Sequence, residues 1–410
     1  MRPRLHFTAH SGWINDPHGI TYRDGAYHVF YQYVPGSTSW APNCHWGHAT
    51  GPDLLSLAEG PVAIAPGDGD DGIWTGSLVQ DGDDVRIFYT ATSMPDFGIG
   101  RIRVAIPEAD DWNSWQKGAT VAEAPAGLDI IAYRDPFLVK EDDEWRMFVG
   151  AGLRDGTATA LSYVSDDLDN WTYDGIALQR STTETDQVWM GALWECPQIF
   201  HLGGRAVMVS SVWDDDVLHY AGYALGTYAD GQFTADTWGR LTYGESYYAP
   251  SLFLDAAEQP CLSFWMRGIA DIEEGWASAH SVPHRLRLEG DTLIAEPHPD
   301  VAAHRSGPVA DGRTDGLGAD IVWRAGDGSV AISSGGEETA QIIRTGGSAS
   351  IVIGGREWSV PVRGGIRVVL DGPVLELSSD AGLFGAAISP AGDGFDIATD
   401  SAEVTVYSLV

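Results

Sequence analysis

A strand-like segment recurs along this chain at a nearly constant interval, and that interval limits the folds open to it. Measured between Phe30, Phe88, Phe148, Met208 and Phe264, the steps are 58, 60, 60 and 56 residues. Each copy starts with a short apolar segment, at 17–22, 77–79, 136–139, 197–200 and 250–253. An acidic or glycine-rich turn leads to an aromatic-rich second strand at 27–33, 85–90, 145–150, 206–211 and 261–266. A third follows at 46–50, 103–106, 160–165, 220–225 and 277–282. A unit of three or four short strands cannot bury both faces alone, and radial stacking around an axis hides them. A meandering sandwich has no need of equal steps. The spacing therefore predicts an all-β protein with a five-bladed β-propeller over residues 1–295. From about Pro297 the pattern changes to short alternating strands at 350–353, 366–370, 374–377, 386–388 and 404–409. These predict a small C-terminal β-sandwich over residues 296–410.

Composition supports the same class, since 50 Gly, 16 Trp and 15 Tyr favour a turn-rich β protein. A formal net charge of −34 without any basic cluster repels a phosphate backbone, so no nucleic-acid partner is expected. Three widely spaced cysteines, Cys44, Cys196 and Cys261, make neither a disulfide framework nor a structural zinc site. Free thiols suit a reducing compartment, the stretch before Trp13 is too short for a signal peptide, and no apolar run has membrane-spanning length. The expectation is a cytoplasmic protein with no membrane partner; oligomeric state is not encoded legibly.

In a propeller the innermost strand of each blade lines a central channel, so equivalent strand ends open into one pocket. Asp16 and Asp135 each stand directly before the proline of their repeat, and Glu195 stands two before Pro197. The other two repeats offer Trp74-Thr75-Gly76-Ser77 and Tyr247-Tyr248-Ala249-Pro250, which carry no charge. One acid beside a proline is commonly a turn cap. Three in register gather like charges and lose hydration, which is costly unless the cluster performs chemistry. Calcium can use oxygen ligands alone, but no histidine occupies an equivalent position, and neither metal nor cofactor is expected. Paired acids flanking a bond are what glycoside hydrolysis requires. Trp13, Trp40, Trp46, Trp74, Trp194 and Trp265 fall near the expected channel. Blade packing is the ordinary role for each; Trp40, in a loop, is the best candidate for a substrate contact.

Seven blocks occur in order: Trp13-Ile14-Asn15-Asp16-Pro17-His18-Gly19, Phe30-Tyr31-Gln32, Trp46-Gly47-His48-Ala49, Arg134-Asp135-Pro136, Trp194-Glu195-Cys196-Pro197, Tyr248-Ala249-Pro250 and Gly275-Trp276. Together they resemble the signature blocks of glycoside hydrolase family 32, the β-fructofuranosidases. The resemblance implies a retaining hydrolase that releases terminal β-D-fructofuranosyl residues from sucrose or fructans through a covalent fructosyl-enzyme. It implies Asp16 as nucleophile, Glu195 as general acid/base and Asp135 as the carboxylate holding the fructosyl hydroxyls. Arg134 would orient the acids, and Asn15, Gln32, Trp40 and Ser77 would line the fructose subsite, with Trp74, Tyr248 and Trp265 beside them. Electrostatics predicts a raised pKa for Glu195, near two other carboxylates, and an ionised Asp16 beside amide donors.

Two positions depart from the family pattern. His18 stands where a second asparagine is usual, and Ser246 where an aspartate is common. The first bears on hydrogen bonding around Asp16, the second on recognition of the leaving group. Three alternatives stay open: a fructosyltransferase with the same trio, an inverting arabinanase or xylosidase, and a sugar-binding propeller whose nucleophile site His18 has disabled. The inverting enzymes lack the Trp-x-Asn-Asp-Pro and Glu-Cys-Pro blocks.

Overall fold

The computed structural model describes residues 1–142 and 144–410; among them, regular structure is strand apart from one short helix, Pro299–Ala303. No helix among the described residues is long and apolar enough to cross a membrane. Three four-stranded antiparallel sheets follow one another. Their members are Gly72–Asp81, Asp84–Thr92, Arg101–Pro107 and Trp115–Ala122; then Ile130–Glu141, Glu144–Leu153, Thr157–Ser165 and Thr172–Ser181; then Leu193–Leu202, Arg205–Asp214, Val217–Ala229 and Gln232–Arg240. The fourth strand of each has the weakest apolar pattern because it is the outer edge, which is why the sequence leaves it indistinct.

The first and last units share a nine-stranded sheet. Gly12–Arg23 leads into Ala26–Val34, His45–Gly51 and Ala58–Ile64, and its start pairs in parallel with Trp276–His280 through Gly12 and Trp13. Gly12 has φ +92, and a Cβ there would lie 2.7 Å from the Val34 carbonyl oxygen, so this junction requires glycine. Five inner strands result: Gly12–Arg23, Gly72–Asp81, Ile130–Glu141, Leu193–Leu202 and Tyr247–Leu254. Each packs on the next and the last packs on the first. Apolar cores fill the spaces between neighbouring sheets, with Phe30, Trp46, Tyr89 and Trp112 in one and Phe148, Trp194 and Met208 in another.

Every inner strand breaks its ladder at the same place. Residues 15–16, 75, 135–136, 196–197 and 249–250 are the unpaired ones. A bulge sets extra residues against the partner strand and re-aims their side chains; proline fits there because it has no N–H to give the ladder. Asp135, Cys196 and Ala249 precede prolines with φ of 65, 51 and 47°, a left-handed conformation costing about 1–3 kcal/mol each. Hydrogen bonds between neighbouring units hold them. Thr75 Oγ1 donates to Asp16, Asp135 N to Thr90 Oγ1, Cys196 N to the Asp135 carboxylate, Ala249 N to Ser211 Oγ, and the His280 imidazole to Asn15 O. The chain of contacts thus passes through all five units and returns to the first.

After the helix, six strands of a seven-stranded sheet and all of a five-stranded sheet share one apolar core that includes Ile321, Trp323, Ile332, Ile342, Val368 and Phe384. Thr292–Pro297 belongs to the nine-stranded sheet, while Thr242–Gly244 pairs in parallel with Gly382–Ala387 of the C-terminal part.

Candidate active site

The bulges direct side chains from the inner strands into one cavity of about 550 Å³, lined largely by residues that precede them. Residues that follow them line a narrower space of about 70 Å³, and Asp135 borders both. Asp16 Oδ2 accepts from Thr75 Oγ1 at 2.6 Å and from Gln32 Nε2 at 3.1 Å, and its Oδ1 accepts from Asn15 Nδ2 at 3.0 Å. Gln32 reaches Asp16 because it is the one residue facing the two-residue bulge. Glu195 Oε1 receives Arg134 Nε at 3.1 Å and Nη2 at 2.7 Å, and its Oε2 receives the Tyr248 hydroxyl at 2.5 Å. The Cys196 thiol lies 3.8 Å from Oδ2 of both Asp16 and Asp135, so those two carboxylates stand within twice that distance of each other.

Burial governs the charge of this cluster. It pushes Asp16 up to about 6, against the opposing donors Thr75 and Asn15 and with help from the Glu195 charge. The donors only partly offset burial, so Asp16 sits above the ordinary carboxylate range, although a group near 6 is still mostly ionised at neutral pH. Burial also pushes Asp135 up to about 8, despite the pull of Arg134. Carboxylates this close titrate as a group rather than singly. The nucleophile role that the resemblance implies for Asp16 requires its ionised form, so any activity that depends on it is expected to fall as pH drops through about 6. Thr75→Val removes a donor that favours the ionised form and should move this acidic limb of the kcat/KM profile upward by about one pH unit. A pH profile of the variant checks this.

Asn15, Gln32, Trp40, Trp74, Arg134, Tyr248 and Trp265 line the cavity with the three acids. Ser77 does not; it faces the narrower space, and Thr75, two residues earlier, takes the place beside Asp16. Trp13 lines the cavity as well, whereas Trp46 and Trp194 are fully buried between sheets. His18 makes no hydrogen bond to Asp16 among the described residues. Its ring lies 3.8 Å from that of Trp46, and burial holds its pKa well below the ordinary value, leaving it neutral. Phe97, Ile131, Trp213, Asp216 and Leu218 also line the cavity, from loops and strand ends that carry no periodic signal.

Four polar atoms of lining residues are buried without a hydrogen-bond partner among the described residues: Nε1 of Trp13 and Trp265, Oδ1 of Asn15 and Oε1 of Gln32. Two are donors and two are acceptors, so the polar lining is not fully satisfied by the protein itself. Elsewhere, Asp255, Cys261 and His298 come close enough to suggest a metal site. Asp255 Oδ2, which lies 3.0 Å from His298 Nε2, also receives Arg285 Nη2 at 2.6 Å, however, so that carboxylate is already neutralised by an ion pair.

A family profile described as the glycosyl hydrolases family 32 N-terminal domain matches residues 6–297. The chain belongs to that family. Among its family 32 relatives, a sucrose-6-phosphate hydrolase of Zymomonas mobilis is 30% identical over 321 residues, covering 72% of this chain and 61% of that protein. A levanase of Bacillus subtilis is 31% identical over 324 residues, covering 71% of this chain and 45% of the levanase. The chain thus spans less than two thirds of the length of these relatives. A family 32 β-fructofuranosidase of Bombyx mori, solved as a mutant in complex with sucrose, aligns at TM-score 0.85 and 25% identity over 100% of this chain and 94% of its own. The fold is also that of a sucrose-6-phosphate hydrolase from Lactobacillus gasseri, at TM-score 0.82 and 21% identity over 100% and 93%. The family 32 blocks Asn15-Asp16-Pro17, Arg134-Asp135-Pro136 and Glu195-Cys196-Pro197 coincide with three of the five bulges.

Proposed function

We propose that this chain is a retaining β-fructofuranosidase acting on sucrose or short fructans from a five-bladed β-propeller. The propeller occupies residues 1–295, and the β-sandwich at 296–410 packs beside it. The cyclic packing of five inner strands supports the first, and the separate apolar core of the last two sheets supports the second. Three buried, unpaired thiols suit the cytoplasmic location expected from sequence.

The observation that carries the functional reading is the meeting of Asp16, Asp135 and Glu195 in one cavity that Asn15, Gln32, Arg134 and Tyr248 also line. Asp16 attacks C2 of the fructosyl group while Glu195 protonates the departing glycosidic oxygen; the C2–O bond breaks and a C2–Asp16 ester forms. Glu195 then takes a proton from water, whose oxygen attacks C2 and frees Asp16, so the anomeric configuration is retained. Asp135 accepts hydrogen bonds from fructosyl hydroxyls, and Arg134 and Tyr248 fix the Glu195 carboxyl group. His18 packs its neutral ring on Trp46 and takes no part in these hydrogen bonds, which supports a working nucleophile. Incubation with sucrose, inulin and levan should release fructose, first as the β-furanose anomer observed by NMR. Release as the α anomer, or tight binding of the sugars with no release, contradicts the proposal.

A further inference from the structure

The floor and the rim of the cavity differ in chemistry. Asp16, Asp135, Glu195 and Arg134 are held inside, whereas Trp40 is 43% exposed at the rim, and Asp216 is exposed there as well. Trp40 packs edge-on to Trp74 at 5.8 Å and beside Phe97 at 6.1 Å, which fixes its ring as a platform. Asp216 ends a two-residue turn with Asp215 that joins Arg205–Asp214 to Val217–Ala229, and both have positive φ, 48 and 60°. Such a turn is the tight hairpin type that holds its residues in one orientation.

Two cations beside this cavity are already engaged. Arg134, the one cationic side chain lining the cavity among the described residues, donates twice to Glu195. Arg267 stacks over Tyr248 and donates to the carbonyls of Leu218 and His219, bracing the Asp216 hairpin from behind. A phosphoryl group carries nearly two negative charges at neutral pH and requires a guanidinium or ammonium partner. At this rim it would meet the Asp216 carboxylate and a chain of net charge −34. A neutral sugar meets a ring for its C–H face and a carboxylate for its hydroxyls.

We infer that the outer part of the cavity takes an uncharged sugar against Trp40, and that Asp216 sets selectivity against a phosphorylated leaving group. The inference rests on the fructosidase reading and narrows its substrate class to unphosphorylated β-fructosides. Like-charge juxtaposition of this kind discriminates by ground-state and transition-state repulsion alike, so it reads out in kcat/KM. The test compares kcat/KM for sucrose and for sucrose 6-phosphate. At low salt the expected preference is about a hundredfold for sucrose, shrinking several-fold near 0.5 M salt, where the screening length is only about 4 Å. Asp216→Lys should narrow the preference about tenfold or more. Asp216→Asn should narrow it less, and asparagine tolerates the left-handed turn, so this variant preserves the hairpin. Turnover of both substrates within about threefold by the parent protein, or a preference unchanged in both variants, overturns the inference while leaving the fructosidase reading in place. No fructose from sucrose, inulin or levan overturns that reading and the inference with it.

Discussion

Asp16→Asn is expected to lose fructose release by about ten-thousand-fold or more, with thermal unfolding little changed. The size of the effect follows from the role. Without an ionised oxygen at this position no C2–Asp16 bond forms, and the remaining machinery only positions substrate and donates a proton. The unchanged stability follows from the local physics. Asp16 is pushed up to about 6 by burial, which means that its ionised form is held at a cost that Thr75 and Asn15 only partly offset. An amide keeps an acceptor for Thr75 and Gln32 and removes the buried charge. Glu195→Gln should lose a comparable amount on sucrose and less on donors whose leaving group needs no proton. Steady-state rates on both donor types, alongside unfolding midpoints, check the pair.

Arg134 carries the second large effect. Its guanidinium lies against Glu195 through two nitrogens, borders Asp135, and sits 5.8 Å above the Trp74 ring. Removing it by Arg134→Ala leaves three acids in one buried cavity with no countercharge among its lining residues. That cluster then either takes up protons or disperses its side chains, and turnover should fall by about a hundred- to a thousandfold. Arg134→Lys restores one positive charge without the planar fork, so it should recover only part of the loss. The electrostatic account also fixes a direction: Arg134 pulls the Asp135 pKa down, so its loss moves the titration of Asp135 to higher pH. A purely structural role for Arg134 would lower stability and leave that titration in place.

The units were legible because a sixty-residue period survives in the second strands, whose both faces are buried. The outer strands, such as Ala58–Ile64 with five exposed residues out of seven, carry too little apolar pattern to be seen. The acids were legible through their prolines, since Asp16-Pro17 and Asp135-Pro136 mark the bulges themselves. Thr75 was within reach of the same logic. It occupies in its repeat the position of Asp16, Asp135, Cys196 and Ala249, but Gly76 stands where the others have proline, and the family resemblance points to Ser77 instead. Ser77 lies past the bulge and borders the narrower space. Trp46 and Trp194 show the opposite limit: they sit beside site blocks in sequence, yet strand alternation turns them away from the cavity into the inter-sheet cores. Asp216, Phe97 and Ile131 reach the rim from hairpins and loops, where spacing along the chain says nothing about direction. The pKa of Asp16 required the structure, because burial rather than the neighbouring amides decides it.

The convergence of bulges from distant units onto one reacting carbon is tested most directly by trapping the intermediate. Glu195→Gln, incubated with an activated β-fructofuranosyl donor and quenched in acid, should gain the mass of one fructosyl unit on the peptide that contains Asp16. A fructosyl adduct on any other peptide, or turnover of the donor with inversion and no adduct, would contradict the account.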